Sequence, residues 1–171
     1  MGESPPASVS YIQLHFRPNI ELISSARQFV ADFYDQVVGD PAVLSRILLA
    51  THELLENAVK YAVDGLTQIR IDVIEGDAVS PRRVTIRTSN RAAPGNCVIL
   101  RETIDLASSA VDPFQHYREV MLKNARRKGG SGLGLARIRA EAEMTIHYVI
   151  EGDEVSIVLD ADLPPRRAEA C

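Results

Sequence analysis

Thr51-His52-Glu53-Leu54-Leu55-Glu56-Asn57-Ala58-Val59-Lys60-Tyr61-Ala62 is the stretch on which the reading of this chain turns. It lies within a segment where Leu44, Ile47, Leu48, Thr51, Leu54, Leu55, Ala58 and Ala62 recur at three- and four-residue steps, the pattern of one apolar helix face. Asp40 followed by Pro41 supplies the start. The aspartate can accept from first-turn amides that have no helical partner, and proline at the first helical position has no amide to lose. A helix over 41–63 is expected, with its apolar face on a sheet. Glu53, Asn57 and Lys60 fall on the opposite side, stacked within reach of one another. A solvated face with a Glu56–Lys60 pair is the plain account of such a pattern. A second signal is needed to read more into it.

Gly129-Gly130-Ser131-Gly132-Leu133-Gly134-Leu135-Ala136 is that signal. Glycines let a backbone turn its amides toward an anion, and a helix expected over 133–142 would aim the positive end of its dipole the same way. Alone, such a cluster is more often a flexible link or a helix entry. Lys123, Arg126, Arg127 and Lys128 precede the loop, and Arg137 and Arg139 follow it. They read equally as a phosphate-facing basic patch or, for the first four, as cations favoured at a helix C-terminus. The phosphate loop with lysine and serine or threonine after its last glycine is absent, as is a dinucleotide fingerprint after an early strand.

Taken together and in this order, the two strings resemble the asparagine motif and the second glycine motif of the histidine-kinase-like ATPase superfamily, and the chain length resembles its anti-sigma-factor serine kinases. The resemblance spans roughly 8–163. It implies a Bergerat-type ATP-binding fold: a two-layer α/β sandwich whose mixed, largely antiparallel sheet is covered on one face by helices. It assigns Glu53 to polarising the attacking group and Asn57 to coordinating the magnesium that bridges the phosphates of ATP. Lys60, Gly130, Ser131, Gly132, Leu133 and Gly134 would bind the nucleotide. A carboxylate suits proton acceptance from a hydroxyl, and a neutral amide oxygen suits magnesium, which takes few protein ligands.

The resemblance fails at the superfamily's first glycine motif. Thr88-Ser89-Asn90-Arg91-Ala92-Ala93-Pro94-Gly95 stands where an aspartate and two spaced glycines are expected. Asn90 is the nearest replacement for the aspartate that accepts from the adenine amino group, and it does so without charge; charged hydrogen bonds contribute about 1.5–3 kcal/mol against about 1 for neutral ones. Ala92, Ala93 and Pro94 are also stiffer than a glycine turn. Two functions follow: a magnesium- and ATP-dependent serine/threonine kinase of bacterial partner switching, or a non-catalytic regulator on the same fold. Either implies a sigma factor or its antagonist as partner, and the resemblance also carries homodimerisation.

Outward from these motifs, 8–16 alternates like a strand and Asn19 caps a helix over 20–38, with Ile23, Phe29, Val30 and Phe33 as its apolar residues and Gly39 as its end. Strands are expected over 67–74 and 83–88, short helices near 98–107 and after Asp112-Pro113, and a hairpin of 145–150 with 154–159 around Gly152-Asp153. Residues 1–7 and 164–171 read as tails around one domain.

The chain has 171 residues, 46% of them hydrophobic, enough for one core. A net charge of -4 and a pI near 5.6 point away from nucleic acid and anionic membranes. No apolar run reaches the roughly 20 residues of a membrane span, and the first residues lack an export pattern, so a cytoplasmic protein is expected. Cys97 and Cys171 show no metal-ligand spacing and are expected to be free thiols.

Overall fold

Side-chain caps set the starts of three helices. The computed structural model describes residues 9–77, 80–126 and 132–165. After strand β1 (Val9–Phe16), the Asn19 side chain accepts from the Leu22 amide at 2.8 Å and opens helix α1 (Ile20–Val38), which Gly39 closes at φ 67°. Asp40 accepts from the Ala42 and Val43 amides at 2.8 and 3.3 Å and opens α2 (Pro41–Tyr61). Asp112 does the same for α4 (Pro113–Ala125), accepting from Phe114 and Gln115. Between them lie β2 (Ala62–Ile74), β3 (Arg82–Ala92) and α3 (Pro94–Ser109). A five-residue α5 (Leu133–Arg137) runs into a π-helical turn (Ile138–Ala142), and β4 (Thr145–Glu151) and β5 (Glu154–Leu163) complete the chain.

The five strands form one sheet in the order β1-β2-β3-β5-β4, and every pairing is antiparallel. Side chains alternate across it. Ile69, Ile71 and Val73 of β2, Val84 and Ile86 of β3, and Val155, Ile157 and Leu159 of β5 turn inward onto the helices. α2 supplies the other half of the core through Val43, Ile47, Ala50, Leu54, Leu55 and Ala58. Fully burying one leucine or isoleucine contributes about 1.5–3 kcal/mol, so this layer contact carries the fold. The architecture is the two-layer α+β sandwich expected from the sequence.

Four expectations are corrected. α2 stops at Tyr61, because Ala62 is already extended; Asp64 and Gly65, at φ 70°, make an irregularity inside β2 and not a turn before it. Leu44 and Leu48 are only half-buried, while Val43 and Ala50 are buried in their place. In α1 the buried row is Ile23, Ala26, Val30, Tyr34 and Val38; Phe29 and Phe33 lie on its exposed flank. The expected helix over 133–142 changes pitch after Arg137.

Tyr34 is fully buried, and its hydroxyl donates to the Ile71 carbonyl at 2.6 Å. Burial pushes the phenol well above its ordinary value, so it remains a donor. Tyr34→Phe is expected to cost about 1 kcal/mol of stability by urea unfolding; no loss would show that the hydroxyl contributes nothing to joining α1 and β2. Cys97 is buried and free, as expected; Cys171 lies outside the described residues. Among those residues no helix is long and apolar enough to cross a membrane.

Candidate functional site

At Glu53 the outer side of α2 departs from a plain solvated face. The residue is buried, because α5 lies against it. A Cβ placed on Gly134 would come within 2.5 Å of Glu53 Oε2, so only a glycine leaves the carboxylate its place. Gly132, two residues earlier, has φ 88°, and a Cβ there would meet Thr103 Cγ2 at 2.7 Å. Gly132 is therefore required by conformation, whereas a side chain at Gly134 would displace the carboxylate. Gly130 and Ser131 lie outside the described residues.

The buried carboxylate has a partner. Arg137 Nη1 stands 3.1 Å from Glu53 Oε1, and Arg137 Nε stands 2.8 Å from Glu141 Oε2, four residues on in the same helical run. Glu141 first, then Glu53, hold the guanidinium more firmly protonated than a free one. Among the other basic residues expected near the loop, Arg127 and Lys128 lie outside the described residues, and Lys123 and Arg126 line a separate shallow surface with Glu119.

Asn57 sits one turn beyond Glu53. Its amide nitrogen is buried and has no hydrogen-bond partner among the described residues. An orphaned buried donor costs about 1–3 kcal/mol, and this one borders two cavities. The first is an open cleft of about 440 Å³ lined by Glu53, Asn57, Lys60, Gly132, Gly134 and Arg137. Leu133 and Tyr117 of α4 also border it. The ammonium of Lys60 lies 5.0 Å from the centre of the Tyr61 ring. The sequence-predicted residues on α2 and at the glycine string thus face one space.

The second cavity is enclosed and small. It measures about 40 Å³ between Ala58, Thr88 and Asn90 on one side and Ile99, Leu100 and Thr103 of α3 on the other. That exceeds the roughly 10–15 Å³ a water needs, and falls far below the roughly 300 Å³ at which small-molecule pockets begin. The Asn90 amide donates to the Arg91 carbonyl at 3.2 Å. Arg91 grips Asp153 on the β4–β5 turn and holds that carboxyl below the ordinary range, which fastens this end of β3.

These residues fit the two halves of a magnesium nucleotide unequally. The orphaned Asn57 amide, with its oxygen a suitable hard ligand, and the glycine-lined cleft fit a metal–phosphate group. Among the described residues no group of three or more His, Cys, Asp or Glu could cage a metal, so phosphate oxygens and waters would have to complete the shell. The base-side cavity, as shaped, does not admit a purine.

Sequence reasoning placed Arg137 only in a general basic patch. Its pairing with Glu141 was readable as a four-residue helix step, but no sequence signal pointed to Glu53, 84 residues away. Thr103 and Tyr117 carried no signal at all.

No family model matches the chain, and no curated protein matches its sequence. Among solved structures, a chain in the crystal structure of the SiaB–SiaC complex from Pseudomonas aeruginosa superposes with a TM-score of 0.63 at 12% identity, covering 88% of each chain. At that identity the likeness is one of fold.

Proposed function

We propose that this chain is a nucleotide-binding regulator that phosphorylates a serine or threonine on a small partner protein, in the manner of the anti-sigma kinases of bacterial partner switching. The convergence of Glu53, Asn57, Lys60, Gly132, Leu133 and Gly134 on one open cleft carries this reading. The partner would be a sigma factor or its antagonist, and the similar fold found within a two-protein complex supports a protein as target. A magnesium-bound ATP would supply the transferable phosphoryl group. Asn57 would hold the metal, Lys60 would add positive charge, Gly132 and Gly134 would let the backbone approach the phosphates, and Glu53 would take the proton of the attacking hydroxyl.

Two observations favour a second reading, in which the chain regulates by binding alone. Asn90 replaces the aspartate that would hold adenine, and the cavity beside it has room for only a few waters. For a purine to enter, α3 must swing away from β3. Titration calorimetry with magnesium and ATP, run beside Asn57→Ala, separates the readings. Saturable magnesium-dependent binding, weakened at least about tenfold in the variant, is expected. No binding at millimolar ATP would leave the non-catalytic regulator as the account.

A further inference from the structure

One oxygen of the carboxylate proposed to take the hydroxyl's proton is already in contact with a guanidinium. The contact that occupies it belongs to this chain: Arg137 Nη1 at 3.1 Å from Glu53 Oε1. Arg137 is also tethered at its other side, with Nε 2.8 Å from Glu141 Oε2. It can leave Glu53 without losing that anchor, because the two carboxylates use different nitrogens. Its side chain is 39% exposed, whereas that of Glu53 is 11% exposed, so the arginine is the freer of the two to turn into the cleft. Gly134 keeps the carboxylate fixed against the backbone while the arginine lines the open cleft.

A guanidinium is a planar fork that matches phosphate oxygens two at a time, and a terminal phosphate carries more charge than one carboxylate. We propose that Arg137 is a phosphate-responsive positioning residue: it masks Glu53 in the free chain and is drawn off by the terminal phosphate of a nucleoside triphosphate, which unmasks the carboxylate. The inference rests on the nucleotide-binding reading and deepens it. Glu53 becomes available only when a transferable phosphate is present, and a diphosphate, lacking that group, leaves the pair closed. Masking also withholds the carboxylate from a stray water until the triphosphate is seated.

Calorimetry of the full chain with Mg–ATP and Mg–ADP tests this. The wild type is expected to favour ATP by about tenfold or more, the scale of one charged hydrogen bond. Arg137→Ala should lower ATP affinity to near that of ADP, leave ADP affinity unchanged, and be only partly rescued by Arg137→Lys. Glu53→Gln provides a readout in the opposite direction. With the mask weakened, ATP affinity should rise severalfold, because binding no longer has to break the pair, while ADP affinity stays level. A merely structural arginine would move both nucleotides together. Binding of both nucleotides with the ATP preference intact in Arg137→Ala, or ATP affinity unchanged or lower in Glu53→Gln, overturns the masking role alone. Failure of the wild type to bind either nucleotide overturns the nucleotide-binding reading, and the masking role with it.

Discussion

On the proposed kinase reading, Gly134→Ala is expected to lower phosphoryl transfer to the partner by roughly 100-fold, the scale on which an ångström of misplacement at a reacting group is felt, while leaving stability within about 1 kcal/mol of the wild type. The added Cβ would stand 2.5 Å from Glu53 Oε2 and 3.4 Å from its Cδ. The clash is with the far end of a flexible side chain, so the carboxylate rotates away and the backbone stays. Gly134 does not have a positive φ, and an alanine in a helix gains up to about 1 kcal/mol over glycine, which offsets the displacement. Stability and function are thereby separated at a single position. A single-turnover assay with the partner, paired with a thermal melt, reads both. Wild-type transfer in a folded variant would mean that the carboxylate's position is irrelevant to the chemistry.

Arg82→Ala has the largest expected effect on stability, about 3 kcal/mol, the low end for breaking a buried ion pair from one side. The side chain is 6% exposed and the Glu75 side chain 26%, which is why the low end applies. Arg82 Nη2 donates to Glu75 at 3.2 Å and to the Val37 carbonyl at 3.3 Å, and Nη1 donates to the Val38 and Pro164 carbonyls at 3.5 and 3.4 Å. Its Nε lies 2.8 Å from Glu75 Oε2, a charge contact in which the N–H is not aimed at the oxygen. One guanidinium therefore ties the start of β3 to the negative end of α1 and to the chain after β5. At this chain length, about 3 kcal/mol corresponds to a fall in Tm of roughly 6–12 °C. A fall under about 2 °C would assign the fold's closure to apolar packing alone.

The sequence made three helix starts and the hairpin legible because each is decided within a few residues, whereas α3, which has no side-chain cap, begins at Pro94 and not near 98. Asn19, Asp40 and Asp112 satisfy amides two or three positions ahead of them, and the Gly152-Asp153 turn joins two alternating segments. The burial of Tyr34 in place of Phe29 and Phe33 was not legible. Several faces of α1 are apolar, and the choice among them depends on where β2 presents the Ile71 carbonyl. The end of α2 at Tyr61 was equally hidden, since no glycine or proline stands there and the chain simply turns extended. In the site, the residue types and their gathering at one place were legible from the two motifs, but the contacts of Glu53 with Gly134 and Arg137 were not. Glu53 reads as a surface acid until a glycine from the far end of the chain is laid on it, and Arg137 reads as one basic residue among several until it is seen to face Glu53.

None of the residues of α4 is buried, and Phe114, Met121 and Leu122 on it are exposed. Free energies of local opening follow buried apolar contact, so detaching this helix takes a small part of what global unfolding takes. Tyr117 of α4 borders the cleft, whereas Glu53 and Asn57 stand on α2, whose apolar face is locked into the core. The cleft thus joins walls of unequal cooperativity: a floor locked into the core, and a flank that opens at lower cost while the floor holds its shape.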